Sequence, residues 1–339
     1  MRDTCSVNIV AARAIKDKVV LVTGGTGSFG TAFTRAILAE HKPAAVRIYS
    51  RDELKQSELA QDLDDRRLRF FLGDVRSLER LKMALRGVDV VIHAAALKQV
   101  PACEYNPFEA IQTNIVGAEN VVSAAIANGV PRTLALSTDK AVNPVNLYGA
   151  TKLCAEKIVT QANAYAADSP ARFSSVRYGN VVGSRGSVVP LFMRQAEKGE
   201  LTVTDEAMTR FWITLDQAVT FVIECLERME GGEVFVPKIP SMRIVDLAAA
   251  IAPGARRRIV GIRPGEKVHE VLLTEDESRH AQAFDDHYSI YPSFPFWRGD
   301  EGYTRGDELP PGFRYSSDGN DRWLTPAELR DIAGLAPVA

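Results

Sequence analysis

The sequence predicts an α/β fold in which a doubly wound parallel sheet carries a smaller C-terminal region. Three observations predict it. Short apolar runs alternate with helix-length segments through the first 180 residues, the first run ends in a cluster of glycines, and the alternation breaks after Asn180. At 339 residues the chain is long enough for one large domain or two intimately packed ones.

Val19 to Thr23 reads as a strand, and the spacing of Phe29, Phe33 and Ile37 predicts a helix from Phe29 through Glu40. Strands follow at 46–50, 68–72 and 88–93, separated by helices at about 53–64 and 77–86. A helix near 107–128 leads to a strand at 133–137, and a helix near 148–166 leads to one at 173–178. Six parallel strands in this order make a Rossmann-type sheet. Gly183, Gly186 and Pro190 then interrupt the pattern, and βα order returns only near 211–236 and 243–252.

The expected organisation is an N-terminal extension at 1–17, a dinucleotide-binding domain at 18–180 with a returning segment near 211–236, a substrate-binding region at 181–210 and 237–290, and a C-terminal extension at 291–339. That last stretch is rich in aromatic residues and turn formers, as in Tyr291-Pro292-Ser293-Phe294-Pro295-Phe296-Trp297, and is expected to pack on the body.

Lys plus Arg number 41 and Asp plus Glu 43, so no global field recruits nucleic acid or an anionic membrane. Cys5, Cys103, Cys154 and Cys225 lie far apart, the usage of reduced thiols, and suggest neither disulfides nor a metal site. The N-terminus lacks the apolar core of a signal peptide, and no segment has the length of apolar sequence that a membrane span needs. A cytoplasmic location is expected.

Gly24-x-x-Gly27-x-x-Gly30, between strand and helix, permits a tight turn and close approach of a pyrophosphate to a helix N-terminus, with Thr26, Ser28 and Phe29 in the same turn. Folds that take NAD usually carry an acidic residue about twenty positions further on. Here the segment reads Tyr49-Ser50-Arg51-Asp52-Glu53-Leu54-Lys55. Ser50 removes a carboxylate while Arg51 and Lys55 can embrace a 2′-phosphate, which favours NADP. The other reading makes Arg51 and Lys55 solvated charges and Asp52 the partner of an NAD ribose. Asp74, followed by Val75, is placed either to accept a bond from adenine or to cap the next helix. Ala94, Ala95 and Ala96 leave room for a flat ring against the backbone, His93 reads as a satisfied core histidine, and Lys98 can face the sugar or the nicotinamide.

The stretch from Ser137 to Lys152 is the most reactive. Tyr148 and Lys152 are four apart and share a helix face, so an ammonium can support a tyrosine acting as base. Thr138 precedes a second acid/base pair, Asp139 and Lys140, whose alternative reading is a surface ion pair.

The glycine motif, His93-Ala94-Ala95-Ala96, Asn114 and the Tyr148/Lys152 pair resemble an extended short-chain dehydrogenase/reductase. More narrowly, segments at 49–56, 94–101, 137–152, 177–190, 208–214, 235–242 and 261–270 resemble the inverting UDP-N-acetylglucosamine 4,6-dehydratases that begin pseudaminic acid biosynthesis. The resemblance implies that Tyr148 takes the C4 hydroxyl proton as hydride passes to NADP. Lys140 then removes the C5 proton while Asp139 protonates the departing C6 hydroxyl; hydride returns to C6 and a proton comes back to C5 from the opposite face, inverting that centre. Retaining relatives carry Asp-Glu where this chain has Asp139-Lys140. By the same resemblance Lys98, Asn180, Arg185, Val189, Arg210, Arg263 and Glu266 bind the UDP-sugar, Asn114 belongs to the cofactor site, and the assembly is a homo-oligomer. Structural salt bridges are the alternative for the arginines, and a plain helix-surface role for Asn114. A UDP-hexosamine 4-epimerase and a non-catalytic NADP sensor are the rival functions.

Overall fold

Val19–Thr23 (β1) runs into the glycine turn and Ser28–Ala36 (α1), which closes in a π-helical turn at Ile37–His41. The pattern repeats through Ala45–Ser50 (β2), Glu53–Leu63 (α2), Leu68–Leu72 (β3), Leu78–Ala84 (α3) and Val90–His93 (β4). The protein is described here by a computed structural model covering residues 13–166, 169–182, 188–297, 303–332 and 334. The strand expected from residue 88 starts two residues later, at Val90, and Asp89 anchors its start: the Asp89 carboxylate accepts from the Val19 amide at 2.8 Å while its own amide donates to the Val19 carbonyl at 2.9 Å.

Val100–Tyr105 (α4), Pro107–Ile111 (α5) and Gly117–Ala127 (α6) precede Arg132–Thr138 (β5), Leu147–Ala166 (α7) and Arg172–Tyr178 (β6). The helix expected over 107–128 is therefore broken by a π-helical turn at Gln112–Val116, a feature frequent at functional sites. Strand order β3-β2-β1-β4-β5-β6, all parallel, reverses between β1 and β4, and ligands bind beyond the carboxyl ends at such a switch point. Both faces are covered, which is why the strands read as near-continuous apolar runs.

Asn180–Val181 (β7), Val188–Ala196 (α8), Glu200–Val203 (β8) and Thr209–Ile213 (β9) follow, then Leu215–Arg228 (α9) and Val234–Pro237 (β10). Thr214 and Gln217 close a reciprocal capping box at the start of α9. β10 pairs in parallel with β6. Ser241–Arg243 (β11), Ile244–Ile251 (α10), Arg256–Ile259 (β12) and Val271–Leu273 (β13) build the smaller region. Its own core joins Phe192, Leu201, Trp212, Met242 and Leu247 with Leu324 and Leu329 from the C-terminal stretch. Glu275–Ser278 (α11) leads to Ala281–Ala283 (β14) and His287–Ile290 (β15), which return to the main sheet as antiparallel strands beside β10. Among the described residues no helix is long and apolar enough to cross a membrane.

Candidate active site

A cavity of about 940 Å³ opens over the carboxyl ends of the parallel strands. Its floor is the glycine turn, where Gly24, Thr26, Gly27, Ser28, Phe29 and Gly30 all line the space. Gly24 has φ +65°, and a Cβ there would meet the backbone of Ala95 at 2.9 Å, so the turn and the end of β4 approach as only glycine permits. Gly27 caps α1 without a side-chain bond, leaving the first amides of the helix to an anion. These features fit a dinucleotide pyrophosphate.

At the adenosine end, Ser50, Arg51, Asp52, Lys55, Asp74 and Val75 line the same cavity. Asp52 is the N-cap of α2, accepting from the Lys55 amide at 3.0 Å, and its other oxygen pairs with the Lys55 ammonium. The Lys55 hydrogen bond first, and then the cap, hold its carboxyl below the usual range. Asp74 accepts from the Arg76 guanidinium at 2.7 and 2.9 Å and lies 3.6 Å from Arg51. Ser77, not Asp74, caps α3. Arg51 keeps just over half of its side chain in solvent.

Ala94, Ala95, Ala96 and Lys98 continue the wall. Burial lowers the Lys98 pKa. His93 is buried, shares a 2.8 Å bond with Thr23, and is depressed to about 3 by burial and then by the Lys152 charge. Asn114 sits in the π-helical turn and holds protein groups: its Oδ1 accepts from the Leu97 amide at 2.8 Å, and its Nδ2 donates to the Leu97 carbonyl and Thr151, each at 2.9 Å. It fixes the loop that carries Lys98. Its neighbour Thr113, unremarked in the sequence, is the residue of that turn that lines the cavity.

β5 ends at Thr138 and passes into a single 3-10 turn, Asp139–Ala141. Helix α7 packs directly on that turn, since a Cβ at Gly149 would collide with the Lys140 carbonyl. Asn146 begins α7, accepting from the Gly149 amide and donating to the Gly265 carbonyl, each at 2.8 Å, which ties the helix to the smaller region. Thr138, Lys140, Tyr148, Lys152 and Asn180 meet in the cavity wall.

Asp139 is fully buried; its Oδ1 accepts from Thr138 at 2.8 Å and from Lys140 at 3.0 Å, and Oδ2 has no hydrogen-bond partner. Lys140 also donates to Asn180 Oδ1 at 3.2 Å. Burial alone pulls the Lys140 pKa down, but the carboxylates of Asp139 and Glu270 outweigh it and push it up to about 12. Tyr148 is raised to about 12 by burial, against the Lys140 charge and a hydrogen bond with Thr138. Lys152 donates to the Leu136 carbonyl at 2.6 Å, and burial lowers it to about 8.

The residues assigned to the UDP-sugar are more scattered. Arg210 spends its guanidinium on the carbonyls of Thr209, Val268 and Lys267 at 2.7 to 3.0 Å. Arg263 is largely exposed, 3.7 Å from Glu266. Val189 packs in the second core, and Arg185 lies outside the described residues. Glu270, which the sequence did not single out, is buried 3.7 Å from Lys140.

A family model described as polysaccharide biosynthesis protein matches residues 20–292. UDP-N-acetylglucosamine 4,6-dehydratase (inverting) of Campylobacter jejuni is 52% identical over 323 residues, covering 93% of this chain and 97% of its own. A protein of Rickettsia canadensis named UDP-glucose 4-epimerase is 44% identical, covering 81% and 83%. Among solved structures, Pen from Bacillus thuringiensis superposes with TM-score 0.86 at 39% identity, covering 94% of this chain and 97% of that one. DesIV, a dTDP-glucose 4,6-dehydratase from Streptomyces venezuelae with NAD and TYD bound, superposes with TM-score 0.66 at 26% identity, covering 74% and 86%.

Proposed function

The chain belongs to the polysaccharide biosynthesis protein family and, within it, to the inverting UDP-N-acetylglucosamine 4,6-dehydratases; from that premise we propose that it removes water across C5 and C6 of UDP-N-acetylglucosamine and inverts C5. The product is UDP-2-acetamido-2,6-dideoxy-β-L-arabino-hex-4-ulose. The observation that carries this reading is the Asp139–Lys140 hydrogen bond, with Lys140 and Tyr148 together in the wall of a cavity that suits a dinucleotide.

A bound nicotinamide supplies the hydride acceptor for C4 and the donor for C6. Tyr148, as the phenolate that a bound cationic cofactor would favour, accepts the C4 hydroxyl proton, and ketone formation acidifies the C5 hydrogen. In the free protein Lys140 is an ammonium facing the Asp139 carboxylate at 3.0 Å. Moving one proton along that hydrogen bond turns the ion pair into an amine and a carboxylic acid. Substrate that displaces water favours the neutral pair, because desolvation penalises both charges. Lys140 then takes the C5 proton and Asp139 delivers its own to the C6 hydroxyl, which leaves as water. The pair ends as it began, ammonium and carboxylate.

NADP is the proposed cofactor. Asp52 is engaged as a helix cap and ion-pair partner, which argues against a role on an NAD ribose, while exposed Arg51 is available to a 2′-phosphate. Lys98, Asn180, Arg263 and Glu266 are proposed to meet the UDP-sugar. Arg210 is proposed to shape that region through the 267–268 backbone instead of gripping phosphate. Free Cys103, Cys154 and Cys225 suit a cytoplasmic setting, and the product suits an amino sugar of a surface glycan such as pseudaminic acid on flagellin. Self-association is supported by Tyr105 and Phe108, at least four-fifths exposed on neighbouring helices.

Incubation with UDP-N-acetylglucosamine and NADP tests the function by mass spectrometry. Loss of one water is expected; an unchanged mass with a new C4 epimer supports the epimerase reading instead, which the Rickettsia relative's name keeps in view.

A further inference from the structure

Glu270 stands immediately before β13 with 3% of its surface exposed. One carboxylate oxygen lies 3.7 Å from Lys140 Nζ and 3.9 Å from Arg210 Nε, and the other lies 3.4 Å from Lys267 Nζ. The second oxygen makes no hydrogen bond. The backbone beneath this carboxylate is clamped from the C-terminal stretch: Ser317 Oγ accepts from the Glu270 amide at 2.9 Å, and the Ser317 amide donates to the Glu270 carbonyl at 2.8 Å. Ser317 is itself fully buried and bonded to Thr209 at 2.7 Å, beside Arg210.

We propose that Glu270, held in place by Ser317, is a positioning residue that keeps Lys140 in its ammonium form until substrate enters. It does so as a fixed negative charge that reaches Lys140 from the smaller region, opposite Asp139 on the dinucleotide-binding side. The titratable and charged groups facing Lys140 are Asp139 from its own turn, Glu270 from just before β13, Arg210 from β9 and the Tyr148 phenol from α7. Arg210 opposes the ammonium and the two carboxylates favour it. Removing one carboxylate leaves Asp139 alone against burial and Arg210, so the amine form becomes easier to reach. The C-terminal stretch thereby acts on the reacting groups without touching the cavity. The inference rests on the reading of Lys140 as the base, but its test does not need turnover.

Amine acylation by acetic anhydride reads the neutral fraction of each lysine, with peptide mass spectrometry resolving Lys140 from Lys98 and Lys152. At a fixed pH near 9, Glu270→Gln is expected to raise the Lys140 acylation rate roughly tenfold or more, the effect of losing an opposite charge within a few ångströms. Lys98 and Lys152 are expected to keep their rates, which separates a charge effect from loosening of the fold. Glu270→Met removes the charge with a different shape and is expected to match Glu270→Gln, whichever folds better, while Glu270→Asp stays near wild type. An unchanged Lys140 rate in a folded charge-removing variant, or an equal rise at all three lysines, overturns the proposal. A protein that fails to dehydrate UDP-N-acetylglucosamine but shows the selective rise refutes the function and leaves the charge coupling standing.

Discussion

Lys140 Nζ lies 3.0 Å from the Oδ1 atom of its fully buried neighbour Asp139. An adjacent lysine and aspartate on a surface turn would point apart into water. Here Thr138 ends the strand and the 3-10 turn places Lys140 in the cavity wall with Asp139 buried directly behind it. The pair stores one transferable proton. Lys140→Ala is expected to lower dehydration about 10²- to 10⁴-fold, the usual worth of a general base. An enzyme that only epimerises would keep its turnover, so product mass after incubation with the variant distinguishes the two.

Tyr148 is raised to about 12 by burial in the absence of ligands, while burial holds Lys152 near 8. Between those values Tyr148 is neutral and Lys152 has lost its proton. Cationic support from Lys152 is therefore present below about 8 and fades as pH rises through it. The ultraviolet difference between wild type and Tyr148→Phe is expected to show no tyrosinate below about pH 11 without cofactor. Adding the oxidised cofactor is expected to bring that signal to lower pH, since its positive ring favours the phenolate.

Arg51 offers the adenosine end a guanidinium that is only loosely held, 3.6 Å from Asp74. Arg51→Ala is expected to raise KM for NADP roughly tenfold with little change for NAD, as befits loss of one charge-assisted phosphate contact. Asp52→Ala is expected to act on stability, by about 1 kcal/mol for the lost helix cap. Urea unfolding measures the second effect and initial rates with each dinucleotide measure the first.

Much of the first 180 residues was legible because local pattern and tertiary role coincide there. Parallel strands are apolar on both faces, the helices between them are amphipathic, and Gly24 and Tyr148 with Lys152 sit at fixed offsets from strand ends. The π-helical turn at Gln112–Val116 was not legible, since the bonds from Asn114 to Leu97 that accompany it depend on a loop seventeen residues earlier in the chain. Nor was the placement of Arg210, whose guanidinium meets carbonyls 57 and 58 residues away, or that of Glu270, brought to Lys140 by packing of the smaller region. Charged residues in that half carry no period to read, and only the folded chain says which of them face the cavity.

Arg177 is almost wholly buried and forked between Glu156, at 2.6 and 3.1 Å, and Glu277, at 2.8 and 3.1 Å. The triad joins α7, β6 and the capping box of α11. Glu156→Ala leaves a buried guanidinium half-satisfied and is expected to cost about 3–5 kcal/mol in urea unfolding. Replacing all three members by apolar residues is expected to cost less than that single change.

The most direct test is a proton NMR spectrum of the sugar after turnover in heavy water with catalytic NADP. The expected product has a C4 ketone, a deoxygenated C6, a deuteron at C5 and the L-arabino configuration, with no net reduction of the cofactor. A sugar that keeps its C6 hydroxyl and its original C5 hydrogen, changed only at C4, would contradict the account.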